Sequence, residues 1–296
     1  MDTSIQHPLR RGMLLVLLAS LFYLLVNLFA RHLHSHLPII QILFIQNGMA
    51  FCCMLPFIWK KPLRTPHWKI HIIRDLSGLA SYFLLFQALK TTPLVDATTL
   101  HFTSPFFVPI ISAFWFKEKF TSNIWLSLIL GFAGMILILN PTGGIFEQGS
   151  VFALLAAIAS AFAISAVRNL NIVKEPIERV LFFFFSAGML VTFPACYPTW
   201  IHPTLFEWGI LLAIGLSVVV NHFLLTRAFL YAPAWYLAPL SYSAIIYAVL
   251  FSWLIYEEPI GLRSLAGAFI ITLGGTITYI LNRKKQNLFL SNPISS

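Results

Sequence analysis

The chemistry available to this 296-residue sequence resides in polar side chains that interrupt otherwise apolar runs. Such groups cost free energy in a bilayer unless they are paired or face water, which makes them default functional candidates. His101, two turns into the run that follows Pro93, is suited to titrate near neutral pH or to act as a polar contact. Tyr242 offers an aromatic platform, and Tyr23, Tyr82 and Tyr236 are also placed to stack on a flat or cationic ligand. Asn27, Gln87, Asn221 and Arg227 could orient a charged group, with Ser241 beside them. Each has a plainer reading. Serine and threonine satisfy their own helix carbonyls, and asparagine and glutamine tie helices together. A neutral His101 donates to a neighbouring carbonyl. Arg227, near the end of its run, snorkels to the interface. Asp96 lies close to Pro93 and reads as interfacial, while Glu118 and Glu258 sit at helix ends as structural charges.

Other chemistries lack their parts. No Gly-x-Ser-Gly, His-Glu-x-x-His or Gly-x-x-x-x-Gly-Lys pattern occurs, so protease and ATPase machinery is absent from the sequence and no cofactor is expected. His32, His34 and His36 alternate beyond the first run without a carboxylate or thiol, so a solvated loop is expected and no metal is assigned. Cys52, Cys53 and Cys196 lie in apolar runs and form no disulfide framework.

These residues must be positioned by membrane helices. The chain is 58% hydrophobic and 10% charged, against about 25% charged residues for an ordinary soluble domain. Ten spans fit near 12–30, 38–58, 71–90, 94–116, 122–140, 150–168, 179–198, 205–230, 234–256 and 262–282. Breaks such as Thr92-Pro93, Asn140-Pro141-Thr142-Gly143-Gly144 and Ala232-Pro233 separate them. The runs lack the alternation of a membrane β-barrel. Arg10-Arg11 before the first run resembles a signal peptide, but no small-residue cleavage site follows, so the run is expected to remain as a helix. The net charge of +9 falls in short loops, which explains it without nucleic acid. With a cytoplasmic N-terminus, one side collects Arg10, Arg11, Lys60, Lys61, Arg64, Lys69, Arg74, Lys117, Lys119, Arg168, Lys174, Arg179, Arg283, Lys284 and Lys285. The other side keeps Arg31, Lys90 and Arg263, so both termini are expected in the cytoplasm and the protein in the inner membrane.

The sequence also repeats. Phe83, Leu84, Leu85, Ala88, Pro93, Leu100, Ser112, Glu118 and Gly134 align with Phe223, Leu224, Leu225, Ala228, Pro233, Leu240, Ser252, Glu258 and Gly274. Residues 1–141 and 142–296 then form two five-helix repeats within one membrane domain. Five is odd, so the second repeat enters from the opposite side, and the expected fold is all-α with ten transmembrane helices in two inverted repeats. Pro105, Pro109 and Pro239 free backbone carbonyls in spans four and nine, which is tolerated beside protein or a water-filled cavity. Ala153, Ala157, Ala161 and Ser165 form a small-residue ladder for tight contact in span six.

Two stretches carry a family resemblance: Ala88-Leu89-Lys90-Thr91-Thr92-Pro93 through Phe116-Lys117-Glu118, and Ala228-Phe229-Leu230-Tyr231-Ala232-Pro233 through Tyr256-Glu257-Glu258-Pro259. With Gly131-Phe132-Ala133-Gly134 and Gly274-Gly275, they resemble the EamA branch of the drug/metabolite transporter superfamily. Many members carry an arginine in the second helix, where this chain departs with Ile45-Gln46-Asn47-Gly48. Ile72-Ile73-Arg74-Asp75 resembles the S-adenosylmethionine transporters of intracellular bacteria. The resemblance implies a secondary transporter rather than an enzyme. It would move a small organic metabolite, such as S-adenosylmethionine or an amino acid, by alternating access. A coupling proton or counter-substrate would be its partner, beside the lipid bilayer. The alternatives are an intramembrane enzyme and a membrane scaffold.

Overall fold

The computed structural model describes residues 3–59, 62–116, 148–231 and 243–257, with 129–130, 133–134, 137, 240–241, 261–263, 265–270, 272–274 and 276–277. Among them every regular element is helical: α1 Thr3–Leu33, α2 Ile39–Ile58, α3 Trp68–Ala88, α4 Leu94–His101, α5 Ser104–Phe116, α6 Gln148–Ile172, α7 Ile177–Cys196, α8 Leu205–Tyr231 and α9 Ser243–Tyr256. Most of span five lies outside the described residues, as do Glu118, the 141–147 linker, Pro233, Tyr236, Pro239, Tyr242 and Glu258.

Among the described residues, five stretches are long and apolar enough to cross a bilayer: Arg10–Leu33, Ile39–Ile58, Gln148–Ile172, Ile177–Thr199 and Leu205–Ala228. The 21-residue α3 matches them in length but carries Lys69, His71, Arg74 and Asp75 in its first half. The bundle has an apolar exterior and polar groups within. Leu14, Ile72, Leu155, Leu190, Leu212 and Ile246 are exposed, whereas Asn27, Gln41, Gln46, Asn47, Thr98 and Thr99 are buried. That distribution suits a hydrocarbon solvent, where an exposed amide would go unsatisfied.

The span expected over 94–116 is two helices. Pro105 has no N–H to offer His101, four residues back. The chain therefore turns at Phe102–Thr103 and restarts at Ser104. Tighter bonds bridge the break: Thr103 N donates to Leu100 O at 3.0 Å and Phe106 N to Thr103 O at 2.9 Å.

α3 packs on α6, α1 on α8, and α2 on both α7 and α8; α7 also touches α3, α4 and α5 lie on α6, and α9 meets α1 and α4. Ala153, Ala157, Ala161 and Ser165 are all fully buried on α6. Gly188 has a comparable role on α7, since a Cβ there would come within 2.5 Å of the Asn47 side chain on α2.

Polar clasps join the connecting segments at opposite ends. At one end the Gln41 amide bonds the Ile201 backbone twice, Nε2 to O at 2.6 Å and Ile201 N to Oε1 at 3.0 Å. His34 Nε2 meets Leu89 O there at 3.2 Å, and the Arg31 guanidinium lies 4.3 Å from the Tyr256 ring centre. The other, basic end holds Arg64, Lys69 and Lys174. There α6 closes with Lys174 in the left-handed region (φ 57°) and Glu175 N donating to Leu170 O at 3.0 Å. This reversal delivers Glu175 to the Thr65 hydroxyl and to Arg179 Nη1, the latter at 2.7 Å. Arg179 Nε also donates to Pro62 O at 3.0 Å.

Candidate functional site

The break after α4 leaves His101 as the last residue of that helix, facing α1, α3 and α6. Its Nδ1 lies 2.8 Å from the Tyr23 hydroxyl and its Nε2 3.2 Å from Ser81 Oγ. Ser81 in turn donates to Ala156 O at 2.9 Å. One direction of donation satisfies the whole chain: Tyr23 O–H to Nδ1, Nε2–H to Ser81, Ser81 O–H to the α6 carbonyl. That assignment makes His101 a neutral imidazole. The Tyr23 and His101 rings stack with centroids 5.6 Å apart, and Phe102 packs edge-on against both. Asn27, fully buried, stands one turn beyond Tyr23 on α1.

Successive residues on a helix diverge by about 100°, so Tyr82 points away from the His101 cluster that Ser81 joins. Its hydroxyl lies 3.3 Å from His222 Nε2 on α8. The His222 ring meets Phe184 and Phe185 of α7 at 5.3 and 5.8 Å. The Arg74 guanidinium lies 3.6 Å over the Phe184 ring. Gly78, one turn from Arg74, makes room: a Cβ there would fall 2.9 Å from Phe184 Cε2.

The remaining expected site residues lie apart from these clusters. Asn221 is buried and donates to Ala19 O at 2.7 Å, tying α8 to α1. Gln87 and Ser241 are half-buried, and Arg227 is exposed with its guanidinium 5.3 Å from the Phe223 ring centre. Tyr242 lies outside the described residues. Ser81 is prominent in the structure yet is no candidate from the sequence, whereas Arg74 enters there only through the charge count and the family resemblance. Charge counting places Arg74 among the charges of the cytoplasmic side, and the Arg74-Asp75 dipeptide within a helical run is the signal that marks it out. A recess of about 480 Å³ lies elsewhere, between α2 and α7, lined by Phe44, Phe193, Cys196, Tyr197, Trp200 and His202.

A bundle with an apolar exterior and polar side chains clustered around a broken helix defines an integral membrane protein. The chain belongs to the EamA-like transporter family, whose profile matches residues 10–140 and again 147–280. It is 28% identical to the pseudopaline exporter CntI of Pseudomonas aeruginosa over 90% of this chain and 94% of that one. It is also 28% identical to the S-adenosylmethionine uptake transporter of Rickettsia bellii, over 88% and 89% of the two chains. A riboflavin transporter of Vibrio cholerae is 26% identical over 96% and 98%. A crystal structure of a protein 20% identical in sequence shares the fold, with a TM-score of 0.65 over 92% of this chain and 98% of that one.

Proposed function

We propose that this protein is a secondary transporter, without enzymatic activity, that carries a small organic metabolite across the inner membrane by alternating access of two inverted five-helix repeats. The observation that carries the mechanism is a matched pair of helices. α2 begins after Pro38 (φ −59°, ψ 137°), has Gln41 in its first turn and Pro56 fifteen residues later. α7 begins after Pro176 (φ −60°, ψ 133°), has Arg179 in its first turn and Pro194 fifteen residues later. Gln41 clasps the chain beyond α7, and Arg179 clasps the chain beyond α2, at opposite ends of the bundle. Exchange of the halves likewise turns the α3–α6 contact into α8–α1, and the α2–α8 contact into α7–α3. A pseudo-two-fold axis in the membrane plane accounts for these pairings. The two successive matches to one family profile support the same reading.

The broken fourth span supports a substrate site near His101, because discontinuous helices commonly line transporter sites at mid-depth. Tyr23 and Asn27 complete the near wall, and Ser241 and Tyr242 are the residues proposed to contribute from span nine. In the observed state His101 is sealed behind its own hydrogen bonds, so substrate reaches it when α1 and α4 part. The exposure of Arg227 favours its interfacial role. S-adenosylmethionine and amino acids are the first substrates to test, since one relative is an S-adenosylmethionine uptake transporter. Riboflavin and pseudopaline follow, as the substrates in the names of two other relatives. Counterflow in proteoliposomes tests the reading: preloaded substrate should drive uptake of labelled substrate without covalent change. His101→Ala and Tyr242→Ala should each cut exchange by about tenfold or more while folded protein persists. Full exchange by both variants would place the site elsewhere. Orientation has its own test. A cysteine at Gly144 should react with an impermeant thiol reagent on intact cells and one at Gln286 should not; the reverse pattern overturns the cytoplasmic placement of the termini.

A further inference from the structure

Arg74 and Asp75 lie in the first half of α3, only 4% and 6% exposed. Their nearest approach, Nη1 to Oδ1, is 3.5 Å. A closed guanidinium–carboxylate bond would measure about 2.7–2.9 Å. Consequently Arg74 Nε and Nη1 and Asp75 Oδ1 are buried without a hydrogen-bond partner. Charged groups left open at this depth require an explanation, because an ion pair kept for stability alone closes and satisfies its atoms.

Neighbouring positions on one helix cannot point at each other. They can present a positive and a negative group side by side. From this geometry we infer that Arg74 and Asp75 form a docking pair for the head group of an α-amino acid, Arg74 taking the carboxylate and Asp75 the ammonium group. A zwitterion satisfies both members and leaves the site neutral. A phosphate dianion would meet repulsion from Asp75, and a simple cation repulsion from Arg74. Phe184 backs the guanidinium at 3.6 Å, fixing its plane, and also meets the His222 ring, whose Nε2 lies 3.3 Å from the Tyr82 hydroxyl. The inference rests on the transporter reading and narrows its substrate class to metabolites with a free amino-acid head.

The test uses the full chain in nanodiscs, with binding of labelled S-adenosylmethionine and L-methionine and competition by analogues that each lose one group. Decarboxylated S-adenosylmethionine lacks the carboxylate, and N-acetylmethionine lacks the ammonium charge. At least one labelled probe should bind, and the matching truncated analogue should compete roughly tenfold or more weakly, the loss expected for one charged hydrogen-bonding group. Arg74→Lys, which keeps the charge but not the planar fork, should erase discrimination against the decarboxylated compound. Asp75→Asn should erase discrimination against the acetylated one. Equal competition by intact and truncated compounds, unchanged discrimination in both variants, or no binding of either probe overturns the docking pair. If riboflavin exchanges in proteoliposomes while neither probe binds, the pair fails and the transporter reading stands. If a probe binds with the expected discrimination but no compound exchanges, the pair stands and transport fails.

Discussion

Two polar clusters share α3 and differ in closure. Around His101, each donor finds an acceptor, and the chain ends on an α6 carbonyl. Around Arg74, a guanidinium and a carboxylate lie side by side with open atoms, and the nearest cover is the face of Phe184. The first arrangement is a finished piece of helix packing, which holds α1, α3, α4 and α6 together in the observed state. The second gains from being met by something else. A transporter needs both: contacts that complete one conformation, and groups whose charges are completed by cargo.

The sharpest way to break this contrast is to neutralise each cluster. Arg74→Met alone leaves Asp75 as an uncompensated buried charge and should cost about 3 kcal/mol or more of stability. Arg74→Met combined with Asp75→Leu should recover most of that loss, because two desolvated charges disappear together. Thermal unfolding in one detergent would show both. If the double variant is as unstable as the single one, the pair is a structural element rather than an open site. The His101 cluster should behave in the opposite manner. Ser81→Ala orphans His101 Nε2–H and removes the bond from α3 to the Ala156 carbonyl, costing about 1–3 kcal/mol. Adding His101→Leu should not restore stability, since the Tyr23 hydroxyl then loses its acceptor and the bond from α3 to α6 is not replaced. Recovery in that double variant would remove the distinction between the clusters.

The helical, membrane-embedded character was legible in the sequence because lipid demands apolar runs of a fixed length, and Pro93, Pro176 and Gly-rich breaks punctuate them. His101 was legible for a related reason, as a polar group following a proline in an apolar run. Its partner Ser81 was not. Serines are abundant in such helices and commonly bond their own carbonyls, as Ser77, Ser165 and Ser186 do. The break in span four had its cause in view at Pro105, yet the run 94–116 still read as one unit, because apolar continuity does not record a lost hydrogen bond. Charge counting misled in one respect. It treats lysine and arginine near a span end as loop residues, whereas helix phase decides whether a side chain points to water or to a neighbour.

That point yields the smallest effect and the cleanest comparison, between two arginines. Arg74 and Arg227 each lie a short distance inside a helix, near the start of α3 and near the end of α8. Arg74 is buried over Phe184, while Arg227 is exposed with its charge near Phe223. An exposed guanidinium beside an aromatic ring contributes about 0.5–1 kcal/mol, and substitution at such a surface position shifts stability by a similar amount or less. Arg227→Gln should therefore unfold within a few degrees of the wild type and bind amino-acid-headed probes with undiminished discrimination. The matched Arg74→Gln variant should lose the preference for a carboxylate. Should Arg227→Gln lose it instead, the anionic group of the substrate is met at the end of α8, and the open atoms of Arg74 and Asp75 require another explanation.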